Sequence, residues 1–387
     1  MKLQKLVLPV VALMTMTACS GSGEEVKDGK LPEGGQEVTQ REEVEKQLAA
    51  AIVNTSEAYA EAKSAGVSLS MKETSVSMKS ANIEASFHID PFEVNAGFNN
   101  LSGTKEEFKA GVELDGLKFN ANAKYKEETK DFNLELGNIA AYLQNDNLYV
   151  NASEAQLSEI AAKLVGFAMG YLSESEEYSA YVPLITVMGL NTATGIDSFL
   201  KGMLGKDFNY NFVYDDLGLT YPLVSKVTES VANEEAKAFL NSIEEKTQVG
   251  YDKLLKFFTY DGASLGIELS LDKDKATEIA SEYLTEHGIT LEKCDLSVAL
   301  CTNNNKVLNS AGFNVDIVAV VDNEENPEAF GGPVTFEIKC GGDLKAEVGK
   351  NSVKYPDNYD DYVSVNALVD GAISAIKGYI PGLADDE

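Results

Sequence analysis

Ala81-Asn82-Ile83-Glu84-Ala85-Ser86-Phe87-His88-Ile89, followed after Asp90-Pro91 by Phe92-Glu93-Val94-Asn95-Ala96-Gly97-Phe98, alternates apolar and polar residues. Side chains along a strand point alternately to its two faces, so Ala81, Ile83, Ala85, Phe87 and Ile89 share one side. Phe92, Val94, Ala96 and Phe98 do the same in the next strand, while Asn82, Glu84, Ser86, His88, Glu93 and Asn95 fall opposite. Such alternation predicts an antiparallel sheet with one buried and one wetted face.

The period of two extends in both directions. Val67, Leu69 and Met71 precede it. Phe108 to Leu114 and Leu117 to Ala121 flank Asp115-Gly116, a pair that tolerates the left-handed backbone of a tight hairpin. Phe132, Leu134 and Leu136 continue the pattern, and Ile139 to Leu143 and Leu148 to Val150 flank Asn145-Asp146-Asn147. Strands joined by such short connections predict a meander, not a parallel βαβ sheet. Further strands are expected over Leu265 to Leu271, Leu296 to Leu300, Phe313 to Val321, Val334 to Ile338 and Leu344 to Val348.

Helices interrupt these strands. Thr39-Gln40-Arg41-Glu42 has capping-box spacing and opens a helix to about Lys63, with Val44, Leu48, Ala51 and Ile52 on one face. Ser153 to Gln156 opens another, whose stripe includes Leu157, Ile160, Leu164 and Ala168. Asn233 is expected to cap a third, carrying Ala236, Phe239, Leu240 and Ile243 toward Phe258 with an interruption near Gly250. A fourth carries Ala276, Ile279, Ala280 and Leu284 and stops near Gly288. Short helices are expected at Ile196 to Leu204 and Ala372 to Ile380. The expected fold is α+β: a large curved antiparallel sheet, a half-barrel covered by amphipathic helices, over residues 67–380. It forms one domain or two subdomains dividing near 182–230.

At the N-terminus, Lys2 and Lys5 precede an apolar run from Leu6 to Met14 that closes on Met16-Thr17-Ala18-Cys19. A basic start, a short apolar core and small residues make residues 1–18 a secretory signal peptide, too short for a stable span. The cysteine that follows resembles the lipobox of bacterial lipoproteins, with Met16 where leucine is more usual. That resemblance implies diacylglycerol on the Cys19 thiol and a chain held on the bacterial cell membrane, outside the cytoplasm. Residues 19–38, with Ser20-Gly21-Ser22-Gly23, read as a lipidated flexible tether, and 39–66 as the N-terminal helix region.

The 387 residues carry a formal charge of -30, or -32 once the +2 of the leader lysines is set aside. Such a field repels nucleic-acid phosphates and anionic headgroups, which argues against a nucleic-acid partner. Lipid, not a basic surface, is then the means of membrane attachment. Arg41 is the single arginine, so bidentate guanidinium clamps are almost absent.

The residues do not assemble a catalytic motif. His88 and His287 are the two histidines, one on the polar side of a strand and one beside a helix-ending glycine. Neither a Gly-x-Ser-x-Gly elbow nor a phosphate-binding glycine loop is present. Cys294, Cys301 and Cys340 match no compact zinc spacing. Export permits a Cys294–Cys301 disulfide, with three reduced core thiols the equal alternative. The chain is therefore expected not to be an enzyme and to need no cofactor, and no metal site is assigned. Tyr355, Asp357, Tyr359, Asp360 and Tyr362 form the best cation or glycan candidate, since carboxylates bind hard cations and exposed aromatic faces stack on sugars. The apolar candidates are Phe87, Phe92, Phe98, Phe119, Leu134 and Leu164, which would line a face or gap between sheet and helices. A close-packed core would use the same residues.

The lipobox, the serial short strands, the passage Ile139-Ala140-Ala141-Tyr142-Leu143-Gln144-Asn145-Asp146-Asn147-Leu148-Tyr149-Val150-Asn151-Ala152-Ser153 running into a helix, and the Leu265 to Leu284 strand-helix unit carry a further likeness. Together they resemble Gram-positive lipoproteins of the LolA, LppX and LprG-like curved-sheet class. The resemblance implies a large sheet wrapped around helices and carriage of lipids or lipidated partners. The expected function is a membrane-anchored envelope lipoprotein that binds an apolar or lipid-like ligand between sheet and helices. The alternative is a non-catalytic surface module for glycan, peptide or another envelope protein.

Overall fold

A computed structural model describes residues 25–126, 128–152, 157–174, 179, 181–204, 210–322 and 330–365. The fold is α+β, with seventeen strands and seven helices among the described residues and mostly antiparallel pairing that is not closed into a barrel. The chain divides into two compact units. The first comprises Met1–Lys109, Lys118–Asn133 and Thr220–Val353, and the second Ala110–Leu117, Leu134–Leu219 and Lys354–Glu387.

The first unit is built on long strands. β12 (Leu255–Tyr260), β13 (Ser264–Asp272), β14 (Ile289–Thr302), β15 (Leu308–Val321) and β16 (Val334–Val348) pair in that order, each antiparallel to the next. The two expected strands at 334–338 and 344–348 are thus one, continuous through Gly341-Gly342. Beyond β16 the ladder forks. β2 (Ser64–Met71) pairs with one half of β16 and with β5 (Phe92–Asn99); β3 (Thr74–Lys79) pairs with the other half and with β4 (Ile83–Ile89). β4 in turn pairs with β7 (Lys118–Tyr125), so the order is not the simple meander expected from the short turns.

One extra residue explains the fork. Between Ile338 and Gly342, β16 advances four residues, whereas the facing chain advances five between their partners Val76 and Met71. The surplus sits at Lys72-Glu73 and forms a β-bulge, which bends the strand and restores its facing. The next strand breaks at the same level, at Asp90-Pro91, where proline has no N–H to give.

α1 (Arg41–Glu61) and α5 (Glu229–Thr247) cover one face of β12 and β13. Val44, Leu48 and Ala49 of α1 meet Ala232, Ala236 and Leu240 of α5 over Leu255, Phe257 and Leu265. The expected capping boundaries shift: α1 has Gln40 at its N-cap without a side-chain bond, and Thr228, not Asn233, caps α5 by accepting from the Val231 N–H. Residues 255–258, read as the end of a helix, belong to β12. Phe257 alternates with Phe258, and after the one-turn α6 (Tyr251–Leu254) the period is two, not 3.6. α7 (Lys273–Glu286), capped by Asp272, lies along β14 with no fully buried residue.

The opposite face carries the N-terminal segment. Residues 25–38, read as part of a flexible tether, are instead held as a strap. Val26 is buried with Tyr260, Ala299 and Cys301, and the short strand β1 (Gln36–Glu37) pairs with β12. Lys72 pairs with both Asp28 and Asp343, and the bond from Lys72 holds the Asp28 carboxyl below the usual range. Gly29 makes this approach possible: its φ is +70°, and a Cβ there would stand 2.8 Å from the Ser297 carbonyl oxygen.

The second unit contains β9 (Ile139–Gln144) and β10 (Asn147–Asn151), a hairpin turned by Asn145 and Asp146, both at positive φ. β11 (Asn211–Tyr214) follows β10, and β17 (Val363–Ser364) joins it as a parallel neighbour. Its helices are α2 (Leu157–Glu174), α3 (Tyr181–Val187) and α4 (Ala193–Leu204). The expected helix at Ala372 to Ile380 lies outside the described residues.

Two substitutions separate the core from the strap. Leu240→Ala, at a fully buried site, is expected to lower the first unit's unfolding free energy by about 3 kcal/mol in urea denaturation. Gly29→Ala is expected to leave that transition nearly in place while raising hydrogen exchange selectively over residues 25–37.

Candidate functional site

Registers across the first unit place its apolar side chains in rows on the face that α1 and α5 occupy. One row runs Leu255, Leu269, Val298, Phe313, Gly342, Met71, Phe92. A second, four residues along β16 and therefore on the same face, runs Cys294, Ile317, Ile338, Val76, Phe87, Ala121. The bulge at Lys72-Glu73 carries the apolar set of β3 and β4 onto this face with that of β2 and β5.

Cover over the two ends differs. Near α1 the face closes over a small apolar pocket of about 70 Å³, lined by Leu48, Ile52, Leu265, Ile267, Leu300 and Leu308 among others. That is about half the ~150 Å³ that accommodates a benzene-sized guest. Among the described residues, the helices of the first unit pack chiefly against β12, β13 and β14, and not comparably against β3, β4 or β7. Val76 and Ile338 are 38 % exposed there and Phe87 36 %. Phe87 stands 5.7 Å from Phe119 of β7, and Phe119 5.8 Å from Phe132 of β8 (Glu128–Glu135), centroid to centroid. The result is an open apolar surface with an aromatic stripe at one side. Its polar reverse carries Ser75, Ser77, Ser86 and His88, whose Nε2 lies 3.0 Å from Asp90.

The six apolar residues expected to share a face separate accordingly. Phe87 and Phe119 touch; Phe92 and Phe98 lie on the same face across the bulge, on β5. Leu134 and Leu164 belong to the second unit, where Leu134 is buried and Leu164 is 51 % exposed on α2. Val76 and Ile338 were not singled out from sequence, although Val76 and Met78 resume the alternation directly after the bulge.

Of the two alternatives for the cysteines, a Cys294–Cys301 disulfide or reduced thiols, the structure has the second. Both thiols are free and lie on β14, seven residues apart, so they point to opposite faces and are separated by roughly 24 Å along the strand. Burial pushes the Cys294 thiol above its ordinary pKa, with Asp295 and Asp272 adding to it, and burial does the same at Cys340. A thiol kept protonated is a poor nucleophile. His287 Nδ1 lies 3.0 Å from the Tyr283 carbonyl, and no group of three His, Cys, Asp or Glu residues is placed to hold a metal among the described residues. Cys19 lies outside them. No helix among them is long and apolar enough to cross a membrane.

The tyrosine group is not the exposed patch expected. Tyr355, Tyr359 and Tyr362 are half-buried, packed on Tyr142 and Tyr149, which are register partners in the β9–β10 hairpin. Tyr149 stacks 4.0 Å from Tyr359 and meets Tyr362 edge-on at 5.4 Å, and Tyr355 lies 6.1 Å from Tyr142. Their ring faces are engaged by one another, which leaves little for a sugar. Asp357 and Asp360 are exposed beside them. Burial pushes the Tyr359 phenol up to about 12; burial and then Glu113, to which Tyr142 donates at 3.4 Å, raise Tyr142 further.

No protein-family model matches the chain, and no curated protein matches it in sequence.

The tyrosine cluster sets an alkaline limit. In the unfolded chain these phenols ionise near pH 10, whereas in the fold they hold their protons to higher pH. The stability they contribute is therefore present below pH 10 and is lost as pH rises through about 12. Tyrosinate absorbance followed together with far-ultraviolet circular dichroism should show late, cooperative ionisation coincident with unfolding; ionisation near pH 10 with the fold intact would contradict it.

Proposed function

We propose that this protein is an exported, non-catalytic lipoprotein of the bacterial cell envelope, anchored through lipid on Cys19, that binds an apolar, lipid-like molecule on the open part of its sheet. The observation that carries the reading is the row Ile317, Ile338, Val76, Phe87, with the Phe119–Phe132 stripe beside it, away from the strands on which the described helices of its unit chiefly pack. Isolated exposed apolar residues are ordinary on protein surfaces, but a contiguous run across four strands favours a binding role. Each Å² withdrawn from water there contributes roughly 25 cal/mol, so an acyl chain needs no charged anchor on this face. The site proposed here is on these strands, where the expectation was a gap between sheet and helices. A trough-like, half-barrel curvature of these strands is part of the proposal, and the bulge at Lys72-Glu73 and the break at Asp90-Pro91 support it.

The second reading, a surface module for a peptide or another envelope protein, draws on the same openness, since a flat apolar face suits a macromolecular partner. Buried, protonated thiols and two locally engaged histidines favour binding over catalysis in either case. The acidic field argues against nucleic acid.

Native mass spectrometry of gently purified full chain tests the first reading. Saturable lipid adducts are expected, weakened on the order of tenfold by Val76→Asp with Phe87→Asp in protein whose far-ultraviolet circular dichroism matches that of the parent chain. Absence of adducts, or adducts unchanged in that variant, would exclude this face. Cys19→Ala is expected to abolish palmitate labelling and to move the protein out of the membrane fraction.

A further inference from the structure

The reverse of the same sheet holds a cluster that the apolar reading does not use. Lys253 of α6, Lys256 of β12 and Lys275 of α7 line a pocket of about 90 Å³ whose remaining wall is Leu254, Glu268 and Ser270. Lys256 and Glu268 are cross-strand partners, and Ser270 faces Ser297 on the side where the strap lies. The chain has 62 acidic against 32 basic side chains, and its other lysines are commonly matched: Lys293 with Asp316, Lys345 with Glu25, Lys350 with Glu347. None of these three lysines enters an ion pair among the described residues. The one acid in the wall is already engaged, since Glu268 Oε2 accepts from the Leu31 N–H of the strap at 3.3 Å.

We propose that this pocket binds a phosphate-type oxyanion, free or borne by a lipid headgroup. Each ammonium offers three donors and no acceptor, and the Ser270 hydroxyl supplies another donor, so the set is complementary to a group presenting several acceptor oxygens in different directions. A planar carboxylate has two oxygens and cannot engage three ammonium groups arriving from separate elements as completely. The volume suits a few waters, and hence one tetrahedral anion. A net positive pocket in an acidic chain also concentrates the attraction, because anions are repelled elsewhere on the surface. The anion site itself does not depend on the proposed anchor or on the apolar ligand.

Titration calorimetry of the full chain with inorganic phosphate, and sedimentation with vesicles of phosphatidylglycerol or of phosphatidylcholine alone, test it. Saturable binding of phosphate or of phosphatidylglycerol vesicles is expected, weakening with salt and by about tenfold or more in K253Q/K256Q/K275Q. Glu268→Gln should tighten it, a gain that misfolding cannot produce. Binding of inorganic phosphate assigns a free-anion site; binding of phosphatidylglycerol vesicles alone assigns the headgroup. No binding of either, binding indifferent to the lysine variant, or equal binding to phosphatidylcholine overturns the proposal. Val76→Asp with Phe87→Asp should leave phosphate binding unchanged, so failure of the apolar site and failure of this one are distinguishable.

Discussion

The single extra residue at Lys72-Glu73 is the constraint on which the apolar face depends. A strand's side chains alternate, so the five-residue step from Met71 to Val76 would put them on opposite faces of an unbroken strand. Their partners on β16, Gly342 and Ile338, are four apart and share a face. The bulge reconciles the two counts, and with it Val76, Met78, Phe87 and Phe119 stand on the side that α1 and α5 cover elsewhere. Without it, the apolar half of β3 and β4 would project on the strap side, among Asp28, Asp343 and Lys72.

The two faces are stabilised by different means. On the helix side, fully buried Val44, Leu240 and Leu265 exclude water, each contributing roughly 1.5–3 kcal/mol by burial. On the other, cover comes from a strap held by specific contacts: Val26 in its small apolar cluster, the Tyr260 hydroxyl donating to the Pro32 carbonyl at 2.9 Å, and Lys72 between two carboxylates. A strap with one buried apolar anchor and several exposed polar bonds has far less free energy holding it than the helix pair has. It is the element expected to open locally while the core stays closed.

Where period and chemistry agreed, the sequence was legible. The alternation of Ile83 to Phe98, the Asn145-Asp146 turn and the stripe of α1 each emerge in the fold because local geometry alone decides them. Residues 255–258 misled because Leu254, Leu255 and Phe258 fit a helical stripe as well as a strand, and only pairing with β13 decides between them. The cysteines stayed open because spacing says nothing of strand continuity: β14 runs through both, whereas a staple requires a turn between them. The strap was invisible to composition, since Gly29 and Gly34-Gly35 read as looseness until the close approach of Gly29 to Ser297 gives glycine a steric reason.

The tyrosines mark the limit of reading candidates from exposure expected by composition. Tyr355, Tyr359 and Tyr362 lie in a segment rich in asparagine and aspartate, which suggests a solvated loop. Tyr142 and Tyr149 sit on facing strands more than two hundred residues away, and nothing local to either segment signals that they meet. Aromatic rings gain more from mutual packing than from water, so once the hairpin places two of them side by side, the remote three complete a cluster. Among the described residues, the phenylalanines of β4, β7 and β8 receive no comparable cluster within their own unit. That difference, and not aromatic content, is what separates a tyrosine core from a candidate binding face.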